Sequence, residues 1–180
     1  MKFRQVTLSN GQTFEVPQGV QRIESKSTHG WQVRYQGSKF FSDGPHGGPQ
    51  ESLTKAIREL LARITTMPAP AALSRVPNAN KTSDLPSGIS GPIVRERPGR
   101  ALIAELSVLL PRFGQRAQYK NIYIASQNTY TEDKYREALA KGMAMRTAAV
   151  ERYELDAAKA RKASVAHLRT QINALHGKAA

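Results

Sequence analysis

The chain has 180 residues and a net charge of +13 at neutral pH, which fits one ordinary domain or two small ones and favours an acidic partner. It contains no cysteine, which excludes disulfide scaffolds, cysteine zinc sites, thiol nucleophiles and iron–sulfur clusters. No run approaches the ~20 apolar residues of a membrane span, and no apolar core follows the basic start Met1-Lys2-Phe3-Arg4 as a secretory signal requires. The expectation is a soluble cytoplasmic protein with no membrane partner.

The N-terminal part reads as strands and then a helix. Asn10-Gly11 tolerates positive φ at both centres of a tight turn, so residues 2–16 predict a hairpin with strands around Val6–Leu8 and Thr13–Val16. A further strand-like run covers Gly19–Ser25. Arg22, Glu24 and Lys26 share one of its sides and Ile23 the other, so Ile23 is expected in the core. Trp31–Gln36 alternates, with Trp31, Val33 and Tyr35 on one side and Gln32, Arg34 and Gln36 on the other. The phase of Trp31 places it in the core, with stacking on a sugar or base as the other reading. Lys39–Ser42 forms the next strand. After the loop Gly44–Gly48, the residues Leu53, Ala56, Ile57, Leu60, Leu61 and Ile64 recur at helical spacing and make one apolar face. The loop lacks the Gly-Lys-Ser/Thr ending of a nucleotide-binding loop.

Residues 65–92 hold Pro68, Pro70, Pro77, Pro86 and Pro92 among Ala, Ser and Asn. Proline removes donors and disfavours helix before it, so this stretch predicts a semi-extended linker. It separates a first unit, 1–64, from a second, 93–180. Both are basic: nine Lys and Arg against five Asp and Glu in the first, sixteen against eight in the second.

The second unit repeats the order of elements. Ile93–Arg97 is a short strand stopped by Pro98-Gly99. Leu102–Leu110 is a strong strand with Leu102, Ala104, Leu106, Val108 and Leu110 on one side. A basic turn, Pro111–Gln118, leads to a third strand, Tyr119–Ala125. In that strand Tyr119 and Tyr123 point away from Ile122 and Ile124, toward nucleic acid or a domain interface. Thr129 and Glu132 have the spacing of a capping box, and Tyr135, Leu139, Met143, Val150 and Tyr153 give a helical stripe. Shifting the first helix by 82 positions sets Leu53 on Tyr135 and Ile57 on Leu139, which points to an internal duplication.

The tail Leu155–His176 is helical by composition. Val165, Leu168, Ile172 and Leu175 are spaced 3, 4, 3. That stripe suits packing on the chain's own sheet, or a homodimer contact through the C-terminal helix; the basic residues Lys159, Arg161, Lys162 and Arg169 suit DNA phosphates. His29, His46, His167 and His176 have no ligand spacing and no acidic companions, so neither a metal nor another cofactor is expected. No nucleophile–base pair stands out, and no enzymatic activity is expected.

A three-stranded sheet has two faces, and one helix covers only one of them. Arg and Gln on an uncovered face suit base edges in a major groove, where small sheets also fit, and neighbouring cations neutralise phosphates.

The segment "GWQVRYQGSKFFSDGPHGGPQESLTKAIRELLARI", with Phe40-Phe41-Ser42-Asp43 followed by Gly47-Gly48, resembles the APETALA/ethylene-response-factor DNA-binding domain and still more its bacterial and phage relatives. It is also similar to the arm-binding domain of tyrosine recombinases, although the chain has no room for their catalytic domain. The resemblance covers about residues 19–64 well and about 91–153 more loosely. It implies an α+β fold of two modules, each a three-stranded antiparallel sheet packed on one helix, whose sheets lie in the major groove of double-stranded DNA. Carried over by position, Arg22, Gln32, Arg34 and Lys39 face DNA, with Lys26 and Gln36 beside them. In the second copy Arg95, Arg97, Arg100, Arg112, Arg116 and Lys120 are the counterparts in kind. The plant sheet is richer in Arg and Trp, and the second copy has Glu105 and Ser107 where the first has Gln and Arg.

The function expected is duplex DNA binding without catalysis, as a transcriptional regulator or a nucleoid-associated protein of bacterial or phage origin. Two modules on a flexible tether gain avidity if they engage one duplex together. The rivals are a protein–protein module, such as a phage inhibitor of a host enzyme, and an RNA-binding protein, for which only Tyr119 and Tyr123 supply stacking rings.

Overall fold

The computed structural model describes residues 1–67, 73, 81 and 83–177. The chain is α+β, with three small antiparallel sheets among the described residues, and divides into two units: Met1–Pro70 with Lys159–Ala180, and Ala71–Ala158.

In the first unit β1 (Phe3–Thr7) and β2 (Thr13–Pro17) form a hairpin. Gly11 takes φ 82°, and Asn10 Oδ1 accepts from the Gln12 amide at 3.0 Å, a local bond that favours Asn in turns. The second sheet is β3 (Val20–Glu24), β4 (His29–Arg34) and β5 (Ser38–Ser42), with β4 in the centre. A single turn, α1 (Asp43–His46), leads through Gly47 and Gly48, at φ 87° and 117°, into α2 (Pro49–Thr66). Glycine suits those two positive angles, and Pro49 suits the first helical position because its missing N–H has no intrahelical partner there anyway.

The apolar stripe of α2 does what its spacing predicts. Leu53, Ala56, Ile57, Leu60 and Ile64 are buried with Val20, Trp31, Val33 and Phe41 of the sheet and with Leu8, Phe14 and Val16 of the hairpin region. Trp31 is fully buried and donates its indole N–H to the Pro49 carbonyl at 2.8 Å, so it belongs to the core.

The same core takes in the end of α3 (Glu132–Gly177). Leu168 is fully buried there, flanked by Val165, Ile172 and Leu175. Gln171 donates to the Glu15 carbonyl of β2, and Arg161 donates to the Thr65 carbonyl at 3.1 Å. The 3, 4, 3 stripe therefore packs within its own chain.

The second unit holds β6 (Ile89–Arg97), β7 (Arg100–Leu110) and β8 (Gln118–Ser126), with β7 in the centre. Pro98-Gly99 joins Arg97 to its partner Arg100, with Gly99 at φ 67°, as a Pro-Gly turn demands. Leu85, Ile89, Leu106, Val108, Ile122, Ile124, Ala125 and Ala138 form the core, with Tyr135, Leu139 and Met145 against it. At Gly142 an added Cβ would stand 3.1 Å from Val108 and 3.4 Å from Ile122, so the helix approaches this sheet closely.

Several boundaries differ from expectation. Pro68, Pro70 and Pro77 lie outside the described residues. The end of the expected linker is structured, because Leu85 is buried and Ile89 already pairs with Val108 in β6. The stripe to Tyr153 and the tail from Leu155 are one helix, α3, with no proline or glycine between Tyr153 and Leu155. Its cap is Thr131, whose Oγ1 accepts from the Lys134 amide at 3.3 Å; Thr129 instead bonds back to Ser126. Met143 is exposed and Met145 takes the place toward the core. Among the described residues no helix is long and apolar enough to cross a membrane.

Candidate nucleic-acid interface

Strand register decides which side chains α2 hides. Val20 pairs with Val33, Arg22 with Trp31, Trp31 with Phe41 and Val33 with Lys39. Directly paired residues share a face. Val20, Arg22, Trp31, Val33, Lys39 and Phe41 therefore lie on the helix side. Gln21, Ile23, Gly30, Gln32, Arg34, Ser38 and Phe40 lie on the other.

Two cations expected at the DNA therefore lie on the side that α2 packs against. The Arg22 side chain is only 9% exposed. Its Nη2 lies 2.8 Å from Asp43 Oδ2, its Nη1 donates to Oδ1 at 3.0 Å, and its guanidinium sits 5.1 Å from the Trp31 ring centroid. Ser52 donates to the same carboxylate at 2.6 Å. Burial alone raises the Asp43 carboxyl, but the bonds from Arg22 and Ser52 and the Arg22 charge outweigh it and hold it below the usual carboxylate range. Lys39 is tied to Glu59 of α2 at 2.8 Å. Arg63 meets that carboxylate at 2.8 Å as well, and hydrogen bonds from Lys39 and Arg63 lower the Glu59 pKa. The expectation for Ile23 is reversed too, because it sits half-buried on the uncovered side.

The uncovered side keeps Arg34 and Gln32. Arg34 is exposed and donates its Nε hydrogen to Gln32 Oε1 at 2.7 Å. Gln32 in turn donates its amide to Ser38 Oγ at 2.7 Å. This relay uses one lone pair of Oε1 and one hydrogen of Nε2, so Gln32 positions Arg34 while its amide retains a second lone pair and a second hydrogen. The Nη groups of Arg34 meet no carboxylate among the described residues. Beside the relay, the Phe40 ring lies over Gly30, where an added Cβ would be 2.6 Å from its Cζ. Lys26 is exposed in the β3–β4 connection, and Gln36 is exposed in the β4–β5 connection at φ 52°.

In the second unit the side away from the core carries Arg95, Ile103, Ile93, Glu105, Tyr123, Ser107, Asn121, Leu109 and Tyr119 by the pairing of the strands. Arg95 Nε is 2.9 Å from Glu105 Oε2, and Asn121 donates to the same oxygen at 3.2 Å. Arg97 and Arg100 sit at the β6–β7 turn, and Arg112 and Arg116 in the β7–β8 connection at the other end of β7. Arg112 donates to the Arg116 carbonyl at 2.9 Å. Lys120 pairs with Val108 and so shares the core side, although it is exposed at the sheet edge.

The sequence pattern missed the role of Asp43 as the partner of Arg22. The available signal was the pairing of Arg22 with Trp31, which an offset of one residue hides. It also missed Ser38, whose place opposite Arg34 fixes the Gln32 amide. Comparison of the chain with protein-family models, curated proteins and solved structures gives no match.

Proposed function

We propose that the chain binds double-stranded DNA, with the uncovered face of β3, β4 and β5 set against the edges of bases in the major groove. The reading includes two sheet-plus-helix modules joined through the proline-containing segment 65–92 and a relationship to the APETALA/ethylene-response-factor type of domain. The role that follows is a transcriptional regulator or a nucleoid-associated protein.

One observation carries the reading. Arg34 stands exposed on the side that α2 leaves open, braced at Nε by Gln32, with its two terminal amino groups free of any carboxylate among the described residues. A planar fork of that kind matches O6 and N7 of guanine. Arg22 and Lys39 carry equal charge, but Arg22 is mostly buried against Asp43 and Lys39 is paired with Glu59 at the surface edge. Net charge of +13 supplies the phosphate attraction, and exposed Lys26, Arg97, Arg100, Arg112 and Arg116 are where it reaches the surface.

The test is fluorescence anisotropy of the full chain with a labelled random-sequence duplex. Binding in the micromolar range that weakens between about 50 and 200 mM salt supports the reading. No change in anisotropy at low salt would sink it in favour of a protein partner.

A further inference from the structure

We infer that the uncovered face of β6, β7 and β8 is a second site, which binds single-stranded nucleic acid by stacking bases on Tyr119 and Tyr123. The two rings are 70% and 55% exposed. They are four residues apart on one strand, so they project from the same face about 13 Å apart. Each therefore presents a ring face without crowding the other.

The groups between and around them are suited to a polyanion. Glu105, opposite Tyr123, is the acidic residue on this face, and Arg95 and Asn121 both hold its carboxylate. Its charge is answered locally. Ile93, Ser107 and Leu109 are uncharged. Cations that meet no carboxylate among the described residues gather instead at the two ends of β7: Arg97 and Arg100 at one, Arg112 and Arg116 at the other. An aromatic floor between two basic ends is the arrangement that tracks a sugar–phosphate backbone while its bases stack.

A duplex is the poorer occupant. Its major groove offers base edges and keeps base faces inside the stack, so two exposed phenol rings gain little from it. A single strand exposes those faces, and stacking on them tolerates any sequence. The site differs in this from the face of β3, β4 and β5, where arginine and glutamine dominate and the one ring, Phe40, is folded over Gly30. The inference does not depend on duplex binding by that other face.

The experiment is an anisotropy titration of the full chain with labelled oligo-dT, oligo-rU and a duplex, for wild type, Tyr119→Ala/Tyr123→Ala and Tyr119→Phe/Tyr123→Phe. The expected result is that the alanine pair weakens single-strand binding at least ~10-fold, that the phenylalanine pair restores it, and that neither moves duplex affinity by more than about 2-fold. A preference between the dT and rU strands identifies DNA or RNA as the source of the strand. The inference is overturned if the chain binds neither strand, if the alanine pair binds them as wild type does, or if strand and duplex affinity fall together. Arg34→Gln, run alongside, reports on the duplex site alone.

Discussion

Arg34 donates its Nε hydrogen to Gln32 Oε1 at 2.7 Å on the side of β4 that α2 leaves uncovered. Gln32 can hold that acceptor in place because its own amide is bonded to Ser38. The guanidinium is thereby oriented before any ligand arrives, which lowers the cost of ordering it on binding.

Replacing Arg34 by Gln is expected to weaken binding to a preferred duplex by about 1–3 kcal/mol and to relax preference at one base pair. Thermal stability should not change, because the side chain is exposed. Anisotropy with the preferred duplex and its single-base variants measures the first effect, and a melting curve the second. Equal weakening on every duplex would make Arg34 a phosphate contact.

Gln32→Ala should act in the same direction but less, by about 0.5–1.5 kcal/mol, the net worth of one hydrogen bond. The same titration checks it. A loss larger than that of Arg34→Gln would mean that Gln32 touches the base itself.

Arg22→Met should cost stability and leave base preference unchanged. Removing one member of a mostly buried ion pair leaves the other uncompensated, at about 3 kcal/mol. Denaturant unfolding measures this. Lys39→Ala breaks a pair at the surface edge and should cost at most about 1 kcal/mol, with duplex affinity within about 2-fold. Strong loss of specificity in either variant would return those residues to the interface.

The Asp43 carboxyl titrates below its ordinary value in the folded chain. A group depressed in this way stabilises the fold at pH above its unfolded value, about 3.9. That contribution disappears as pH falls through the lower folded value. Stability should therefore drop on acidification below about pH 4, and Asp43→Asn should flatten part of the drop while lowering stability at neutral pH. An acid limb identical in wild type and Asp43→Asn would contradict the assignment.

Leu168 is fully buried in the core built by α2 and its sheet, although 104 positions separate it from Ile64. Leu168→Ala should cost about 2–5 kcal/mol, and a chain ended after Ala158 should lose the cooperative unfolding of the first unit. Unfolding of that shortened chain identical to wild type would show that the contact is dispensable.

Local periodicity was enough to read β4, β7, β8 and α2, because Trp31–Val33, Leu106–Val108 and the stripe from Leu53 to Ile64 each repeat at the spacing of their element. What it could not supply was register. The third run holds Val20 and Ile23 on opposite sides, so hydrophobicity does not fix its phase, and the expectation sets Ile23 inward and Arg22 outward. The pairing of Val20 with Val33 and the acceptor Asp43, 21 residues away, set the opposite phase. Likewise, Leu168 carries the same local signal whichever core receives it. The relay through Ser38 is a tertiary contact of three polar residues and has no periodic signature.

The central claim is best tested by selecting bound sequences from a random duplex pool with wild-type chain and with Arg34→Gln. The account predicts a recurring motif for the wild type that contains a guanine, and a variant in which preference at that guanine alone is lost. The same motif recovered intact with the variant would contradict it.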